Sequence, residues 1–503
     1  MYPGPRNVAY SSIAFHLLKG YLEDLSVGVR RFFLEDTIRG ESRGRAAPGD
    51  SMIILVSLPY ELMYADLVKI LDYAGIPVYR RERGPGDPVV VVGGPAVTAN
   101  PAPILPLVDA VLVGEAEPVL DVIAEASQAG SRSEALDILA DAPGMLVPGH
   151  SSVPVERVFV RDLDTAWYPV RQDIPGDVEP VWGRSFMLET TRGCARGCRF
   201  CMEGSIFRPM RSRSPKRAVA LMIEGVKANK VGRVSFYSLS FFDSKTGDTV
   251  LEAAVSEGLE VSVPSLRADT LTPERARLIA EGGQRSITIA PETGSCRIAK
   301  AIHKPICKGG AVEAVEMVVD AGITGVKMYI MTAFPGESEE DLAETISMIE
   351  ESARLLRGKG RLKVSINPFI PKPATSMQWL GLADRKTIRS KVERIAKAAR
   401  RHGAQVFTYD ARLAEIQAVL SRGDSRLAPL IVEWARRGGG LGAWRAAQKA
   451  TGIDIRFYLE PWSPDYTPEW HRLVEHPGSP LRLLRREYEI YASIAGGGLR
   501  IPG

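Results

Sequence analysis

Thr191-Arg192-Gly193-Cys194-Ala195-Arg196-Gly197-Cys198-Arg199-Phe200-Cys201 gathers three of the chain's five cysteines on one short, glycine-punctuated loop. The loop follows the strand-like run Ser185-Phe186-Met187-Leu188-Glu189. Three thiolates so spaced can converge on three irons of a cubane cluster. Full cysteine ligation of a [4Fe–4S] cluster takes four, so a three-cysteine loop leaves one iron open to a small molecule. The alternative is zinc, which takes four ligands, usually from paired C-x2-C units. The remaining cysteines, Cys296 and Cys307, lie far downstream and form no such pair. They read as buried or incidental thiols. Cys307 is also a candidate substrate anchor or radical quencher, because the lysines of Ile302–Lys308 lower a thiol pKa.

Outward from the loop, strand-like runs recur at 185–190, 233–238, 260–264, 285–290, 325–331 and 363–368, separated by amphipathic stretches. Such alternation predicts a partial (β/α)6 TIM-like barrel with its chemistry at the C-terminal ends of the strands. The cysteine loop lies where that rule requires. Ser338 and Asp341 suit a helix cap after the turn Pro335-Gly336. Upstream, Ser51–Ser57, Pro88–Val92 and Asp109–Val113 are short apolar runs, with Val29–Leu34 as an edge candidate. Helix-like segments at about 60–74 and 116–128 lie between them, the pattern of a doubly wound, Rossmann-like parallel sheet. The chain thus divides into a sheet domain (1–150), a linker (151–184), a barrel (185–400) and a mainly helical C-terminal region (401–503). Arg385–His402 reads as a basic helical stretch closing the barrel, Ser425–Ala447 as a second one in the C-terminal region, and the glycines at 496–498 as a frayed end.

Composition narrows the classes. The 503 residues hold 64 basic and 60 acidic side chains, a net +4, so a nucleic-acid partner is not indicated. No apolar run approaches the roughly 18 residues that cross a bilayer. Five cysteines make no disulfide framework, and free thiolates with a labile cluster suit a reducing cytoplasm.

The cysteine loop resembles the signature of the radical S-adenosylmethionine (SAM) superfamily, whose open iron chelates the amino and carboxylate groups of SAM. The resemblance implies a [4Fe–4S] cluster on Cys194, Cys198 and Cys201, SAM, and an external low-potential electron donor of flavodoxin or ferredoxin type. It places Phe200 near the adenine. Ser238 and Ser240 stand where relatives carry a segment that binds the SAM amine, although the usual Gly-Gly-Glu is missing. Glu292 ends the fourth strand, where a carboxylate can accept both ribose hydroxyls, and is the first choice as ribose ligand; the lesser alternative is an acid placed for the dipole of a following helix. Arg267 offers a bidentate fork for the SAM carboxylate, and Lys327 is a further candidate cation. Lys372, in Pro371-Lys372-Pro373, is a candidate for substrate or adenine contact.

Across residues 1–430 the chain resembles radical SAM proteins that carry an N-terminal cobalamin-binding-like domain. Val92-Gly93-Gly94-Pro95-Ala96-Val97-Thr98 and Val113-Gly114-Glu115-Ala116-Glu117 carry that resemblance, with Gly93, Gly94 and Thr98 as candidate cofactor contacts. Asp-x-His-x-x-Gly, the motif that supplies cobalt with a histidine, is absent. His16 falls in a helix-like run and His150 at the far boundary. The implied chemistry is reductive SAM cleavage and hydrogen abstraction from an unactivated carbon, with cobalamin-dependent C-methylation as one outcome. Ring closure or C–C coupling without cobalamin, for example on a lipid, is another. A methylthiotransferase is disfavoured, because no cysteine precedes Cys194. A non-catalytic iron–sulfur or zinc module stands as the alternative from a different class.

Overall fold

The computed structural model describes residues 1–35 and 48–496; of the expected frayed glycines, 497 and 498 lie outside them. In the N-terminal unit, β1 (Ile53–Ser57), β2 (Val89–Gly93) and β3 (Ala110–Leu112) run parallel in that order, and β4 (Met145–Leu146) joins β3 antiparallel. Val89 through Val92 are all buried, as expected of a central strand covered on both faces. The helix Tyr64–Tyr73 packs Leu67, Val68 and Leu71 into the same core. Val29–Leu34 is not a strand. Its pairing stops at one bridge, Tyr2 to Phe33, because Met1 already takes the free edge of β1: its ammonium donates to Leu55 O at 2.6 Å and its carbonyl accepts from Ser57 N at 3.4 Å.

In residues 151–184, Val155–Glu156 pairs with Val474–Glu475, and Val158 bridges Gly114 of the sheet unit. The barrel follows. β5 (Phe186–Glu189), β6 (Arg233–Tyr237) and β7 (Glu260–Ser262) form one parallel group. A second group holds β8 (Ser286–Glu292), β9 (Gly325–Thr332), β10 (Arg361–Pro368) and β11 (Gln405–Thr408). A bridge from Leu266 to Ile289 links the groups. All the expected strands are present. The added strand, β11, is Gln-Val-Phe-Thr, four residues that stay largely exposed, and so lacks the longer apolar run that marks the others. Alternation is plain in β9, where Val326, Met328 and Ile330 face the helical layer and Lys327, Tyr329 and Met331 face inward. Ser338 and Asp341 form the expected capping box of the helix Glu339–Leu356.

The C-terminal helices brace both units. The basic stretch Arg385–Arg401 is a helix as expected. Ser425–Ala447 is not one helix: Ala428–Arg436 and Leu441–Thr451 are separated at Gly438 and Gly439, whose φ of 101° and 79° reverses the chain. Asn100 Nδ2 donates to the carbonyls of Ser421 and Gly423 at 2.9 and 2.8 Å, stitching the sheet unit to this region. Lys372 links the units similarly, pairing with Glu61 at 2.8 Å and donating to Ser421 Oγ at 3.1 Å. Among the described residues no helix is long and apolar enough to cross a membrane.

Trp379 is fully buried, its ring 5.8 Å from that of Tyr488 and its Nε1 donating to Tyr466 O at 2.9 Å. Trp379→Ala is expected to cost about 3–5 kcal/mol in denaturant unfolding; a loss well below ~1 kcal/mol would show that this junction carries no stability.

Candidate iron–sulfur and SAM site

β5 delivers the cysteine loop at its C-terminal end. Thr191–Arg192 then pairs antiparallel with Arg211–Ser212, so the loop leaves and re-enters the barrel mouth at one point. Gly193 makes the departure possible. Its φ is +78°, and a Cβ there would lie 2.3 Å from Phe207 O and 2.7 Å from Pro209 O.

Cys194, Cys198 and Cys201 are free thiols, each half-buried and each receiving one N–H. The amide of Arg196 donates to Cys194 Sγ at 3.5 Å, Arg267 Nη1 to Cys198 Sγ at 3.7 Å, and the Gly204 amide to Cys201 Sγ at 3.2 Å. Burial raises the Cys198 pKa and pushes that of Cys201 up to about 12. Such thiols keep their protons at neutral pH until a metal replaces them, while the three N–H donors suit sulfurs that carry charge. The donor set therefore fits an iron–sulfur cluster. Among the described residues no group of three or more His, Cys, Asp or Glu is already gathered tightly enough to hold a metal ion, the three cysteines included.

The loop is held by side chains that sequence reading did not single out. Arg196 forms a bidentate pair with Asp243, 2.7 Å through Nε, and Asp243 also accepts from Ser240 Oγ at 2.5 Å. Ser238 Oγ lies 2.6 Å from Thr191 Oγ1. Both expected serines thus reach the cysteine loop, Ser240 through Asp243. Arg267 divides itself between Cys198 and Asp269, at 3.0 and 2.8 Å to the carboxylate. Glu292 ends β8, buried, at φ +71°, and accepts from Lys304 Nζ at 2.8 Å. Phe200 packs half-buried against the main apolar core. Lys327 is apart from these: it bonds the Tyr329 hydroxyl at 3.0 Å, five residues below the end of β9, or about 16 Å along the strand.

Between the sheet unit and the cysteine loop lies a cavity of about 380 Å³. Leu17, Leu55, Val91 and Leu112 supply its apolar wall, and Gly93, Gly94 and Ser238 also line it. Gly94, at φ +115°, has no room for a Cβ, which would fall 2.7 Å from Leu58 O. Thr98 stands behind the wall, buried, its Oγ1 accepting from Gly114 N at 3.2 Å. No histidine lines the cavity among the described residues. His16 is buried elsewhere, Nε2 3.1 Å from Tyr10 O, with its pKa lowered by burial to about 4.

One side of the cavity is closed by ion pairs. Arg192 meets Glu189 at 2.8 Å, Glu115 at 2.8 Å and Glu117 at 2.6 Å, and Arg211 binds Glu115 at 3.0 and 2.8 Å. Burial works against the charge on Arg192, but the three carboxylates outweigh it and hold its pKa well above the ordinary value. Glu115 and Glu117 come from the end of β3, Arg192 and Arg211 from the base of the cysteine loop. Gly114-Glu115-Ala116-Glu117 was legible as a strand end; its arginine partners were not, because nothing in sequence separation relates residue 115 to residue 192 or 211.

Cys296 and Cys307 are not incidental free thiols. The structure pairs them in a disulfide with Cα atoms 4.9 Å apart. The chain reverses between the helices Cys296–Ala301 and Lys308–Asp320, bringing the two helix starts together.

This geometry meets comparison with known proteins on common ground. A family model described as "Radical SAM proteins, N-terminal" matches residues 44–148, and one described as "Radical SAM superfamily" matches residues 188–349. The uncharacterized protein MJ0966 of Methanocaldococcus jannaschii is 31% identical over 432 residues, 85% of this chain and 88% of that one. In structure, the chain is similar to the radical SAM methyltransferase TsrM of Kitasatospora setae, solved with cobalamin and a [4Fe–4S] cluster: TM-score 0.52, 17% identity, 73% of this chain and 71% of that one. The cobalamin-dependent radical enzyme OxsB, solved with aqua-cobalamin and SAM, aligns at TM-score 0.50 and 12% identity over 97% of this chain and 77% of that one. The chain belongs to the radical SAM superfamily, with a [4Fe–4S] cluster and SAM as its cofactors. Its fold is that of a Rossmann-like sheet set on a radical SAM barrel.

The ion-pair lid has a pH signature. Burial works to raise the Glu115 pKa, but Arg211 and Arg192 outweigh it and hold the carboxyl below its ordinary 4.5. A depressed folded-state pKa contributes stability that is present above the unfolded value and lost as pH falls through the folded one. Thermal melts should therefore show Glu115→Gln less stable than wild type near neutral pH, by about 3–5 kcal/mol. The two should converge in acid as wild-type Glu115 protonates. A gap that persists at low pH would show that the charge of Glu115 is not what stabilises.

Proposed function

We propose that this protein is a radical SAM enzyme that removes hydrogen from an unactivated carbon of its substrate, with cobalamin in the interdomain cavity serving C-methylation. The cavity is the observation that carries the second part: it lies directly between the ends of the parallel sheet strands and the cysteine loop. Reductive cleavage of SAM to methionine and a 5′-deoxyadenosyl radical is the chemistry that the cluster supplies when bound. Cys194, Cys198 and Cys201 would hold the cluster, and Arg267 and Lys304 keep positive charge beside Cys198. Glu292 would take the ribose hydroxyls, Phe200 the adenine, and Ser238 and Ser240 would frame the methionine end. Lys327 would reach a substrate that enters deep into the barrel rather than SAM.

The wall formed by Leu17, Leu55, Val91 and Leu112 excludes water from the cavity. A cobalamin held here would have no protein histidine on cobalt. In this reading residues 1–150 cover the barrel mouth, 151–184 link, 185–400 carry the radical chemistry with β11 added from beyond, and 401–503 brace both. A low-potential donor of flavodoxin or ferredoxin type supplies the electron, and a reducing cytoplasm preserves the cluster.

Cys198→Ala is expected to lose both the iron of the reconstituted protein and the formation of 5′-deoxyadenosine under dithionite. Undiminished formation would refute the cluster assignment. Filling the cavity by Leu112→Trp should lower the affinity for hydroxocobalamin, read from its visible spectrum, by about tenfold or more, with 5′-deoxyadenosine formation retained. If the wild-type protein takes up no hydroxocobalamin, the methylation reading falls and the radical reading stands.

A further inference from the structure

The second strand group does not close its inner face into a core. Val326, Met328 and Ile330 of β9, and Leu362, Val364 and Ile366 of β10, are buried against the helical layer. The alternate residues point into the barrel, where a parallel strand ordinarily carries bulky apolar side chains as well. Here the inward set is Lys327, Tyr329 and Met331 on β9 and Arg361, Lys363 and Ser365 on β10, all of them half-buried or exposed. β11 adds Phe407, 48% exposed, in register with Ser365. The barrel therefore holds open space below its mouth rather than a filled interior.

The lower end of that space is basic. Lys327 and Lys363 stand directly opposite each other on adjacent strands, and Arg361 precedes Lys363 by two residues on the same face. Like charges set opposite one another destabilise a sheet. No acid offsets them, because the inward residues of β8 to β11 below Glu292 include neither Asp nor Glu. Lys327 Nζ reaches only the Tyr329 hydroxyl, and the side chains of Arg361 and Lys363 have no hydrogen-bonding or ionic partner among the described residues. The first strand group is balanced where the second is not, since Arg233 lies in register beside Glu260. At the N-terminal ends of β8, β9 and β10, Ser286, Arg361 and Lys363 line one cavity of about 580 Å³.

We propose that this basic floor binds the anionic end of an elongated substrate, a phosphate or a carboxylate, whose apolar body runs up along Tyr329, Met331 and Phe407. This rests on the reading of the barrel as a radical SAM site given above. Lys327 lies about 16 Å along the strand below the end of β9. A small anion held at the floor would stay out of reach of a radical formed at the mouth, so the substrate must be long enough to present a carbon there. Lys327, Lys363 and Arg361 offer charge-assisted hydrogen bonds to the anion. The same anion relieves the repulsion between the two lysines, which the empty protein bears as a cost in stability.

The test uses the full, cluster-loaded chain and four probes: octyl phosphate, octanoate, octanol and inorganic phosphate. Calorimetric titration should show octyl phosphate or octanoate binding about tenfold or more tightly than octanol and than inorganic phosphate. Whichever of the two anions leads identifies the source of the charge. Lys327→Gln/Lys363→Gln should lose that preference while binding octanol as wild type does. Lys363→Gln alone should melt no lower than wild type, because it removes one of two opposed like charges. Equal affinity for the anions and octanol overturns the proposal, as does a preference that survives in the double variant. Inorganic phosphate binding as tightly as octyl phosphate, no binding of any probe, or a clear drop in the melting temperature of Lys363→Gln overturns it equally. Wild-type formation of 5′-deoxyadenosine under dithionite checks the functional reading separately: its absence defeats the radical site, and with it the substrate role, whatever the anions do.

Discussion

Arg192 with its three carboxylates is the interaction on which the rest of the molecule depends. Glu189 belongs to the barrel's first strand, Glu115 and Glu117 to the end of a sheet strand in the other unit, and Arg192 to the base of the cysteine loop. A single guanidinium thereby sets the distance between sheet and barrel, and with it the height of the cavity between them. Arg211 doubles the link to Glu115. Burying so much charge is tolerable because every carboxylate in the group faces a cation. The same pairing spares the cavity an uncompensated charge at this wall.

Below that junction the site is built around deprotonation on demand. Burial keeps the Cys198 and Cys201 thiols neutral while no metal is present, and a backbone or arginine N–H waits at each of the three sulfurs. Four cationic side chains around the loop have acidic partners: Arg196 with Asp243, Arg199 with Glu487, Arg267 with Asp269, Lys304 with Glu292. These pairs fix the loop in place before any ligand arrives, so binding need not order it. The left-handed backbone at Glu292 belongs to the same logic, turning the strand's last carboxylate toward the mouth.

Some residues could be read from the chain alone and some could not, for identifiable reasons. Cys194, Cys198 and Cys201 act through spacing on one loop, and spacing is visible in sequence. The apolar runs of β1, β2 and β9 follow from burial on known faces. β11 escaped because it is only four residues long and largely exposed, and a strand whose pairing partner supplies the order carries no periodic signal. The ion pair of Lys372 was not legible, since its partner Glu61 lies far away in the chain. Cys296 and Cys307 misled, because their closeness comes from a chain reversal between two helices that no cysteine count anticipates.

The sequence by itself determined the class of fold, the strand-end position of the cysteine loop and the number of protein thiolates a cluster would find. These depend on local periodicity and short spacings, which the chain writes directly. Tertiary structure alone decided that Arg192 joins the units, that Lys304 holds Glu292, that a disulfide joins Cys296 to Cys307, and that an apolar cavity with no histidine separates sheet from barrel. Each of these is a meeting of residues distant in the chain or on separate elements. What brings them together is the burial of several apolar faces at once, and that has no local signature.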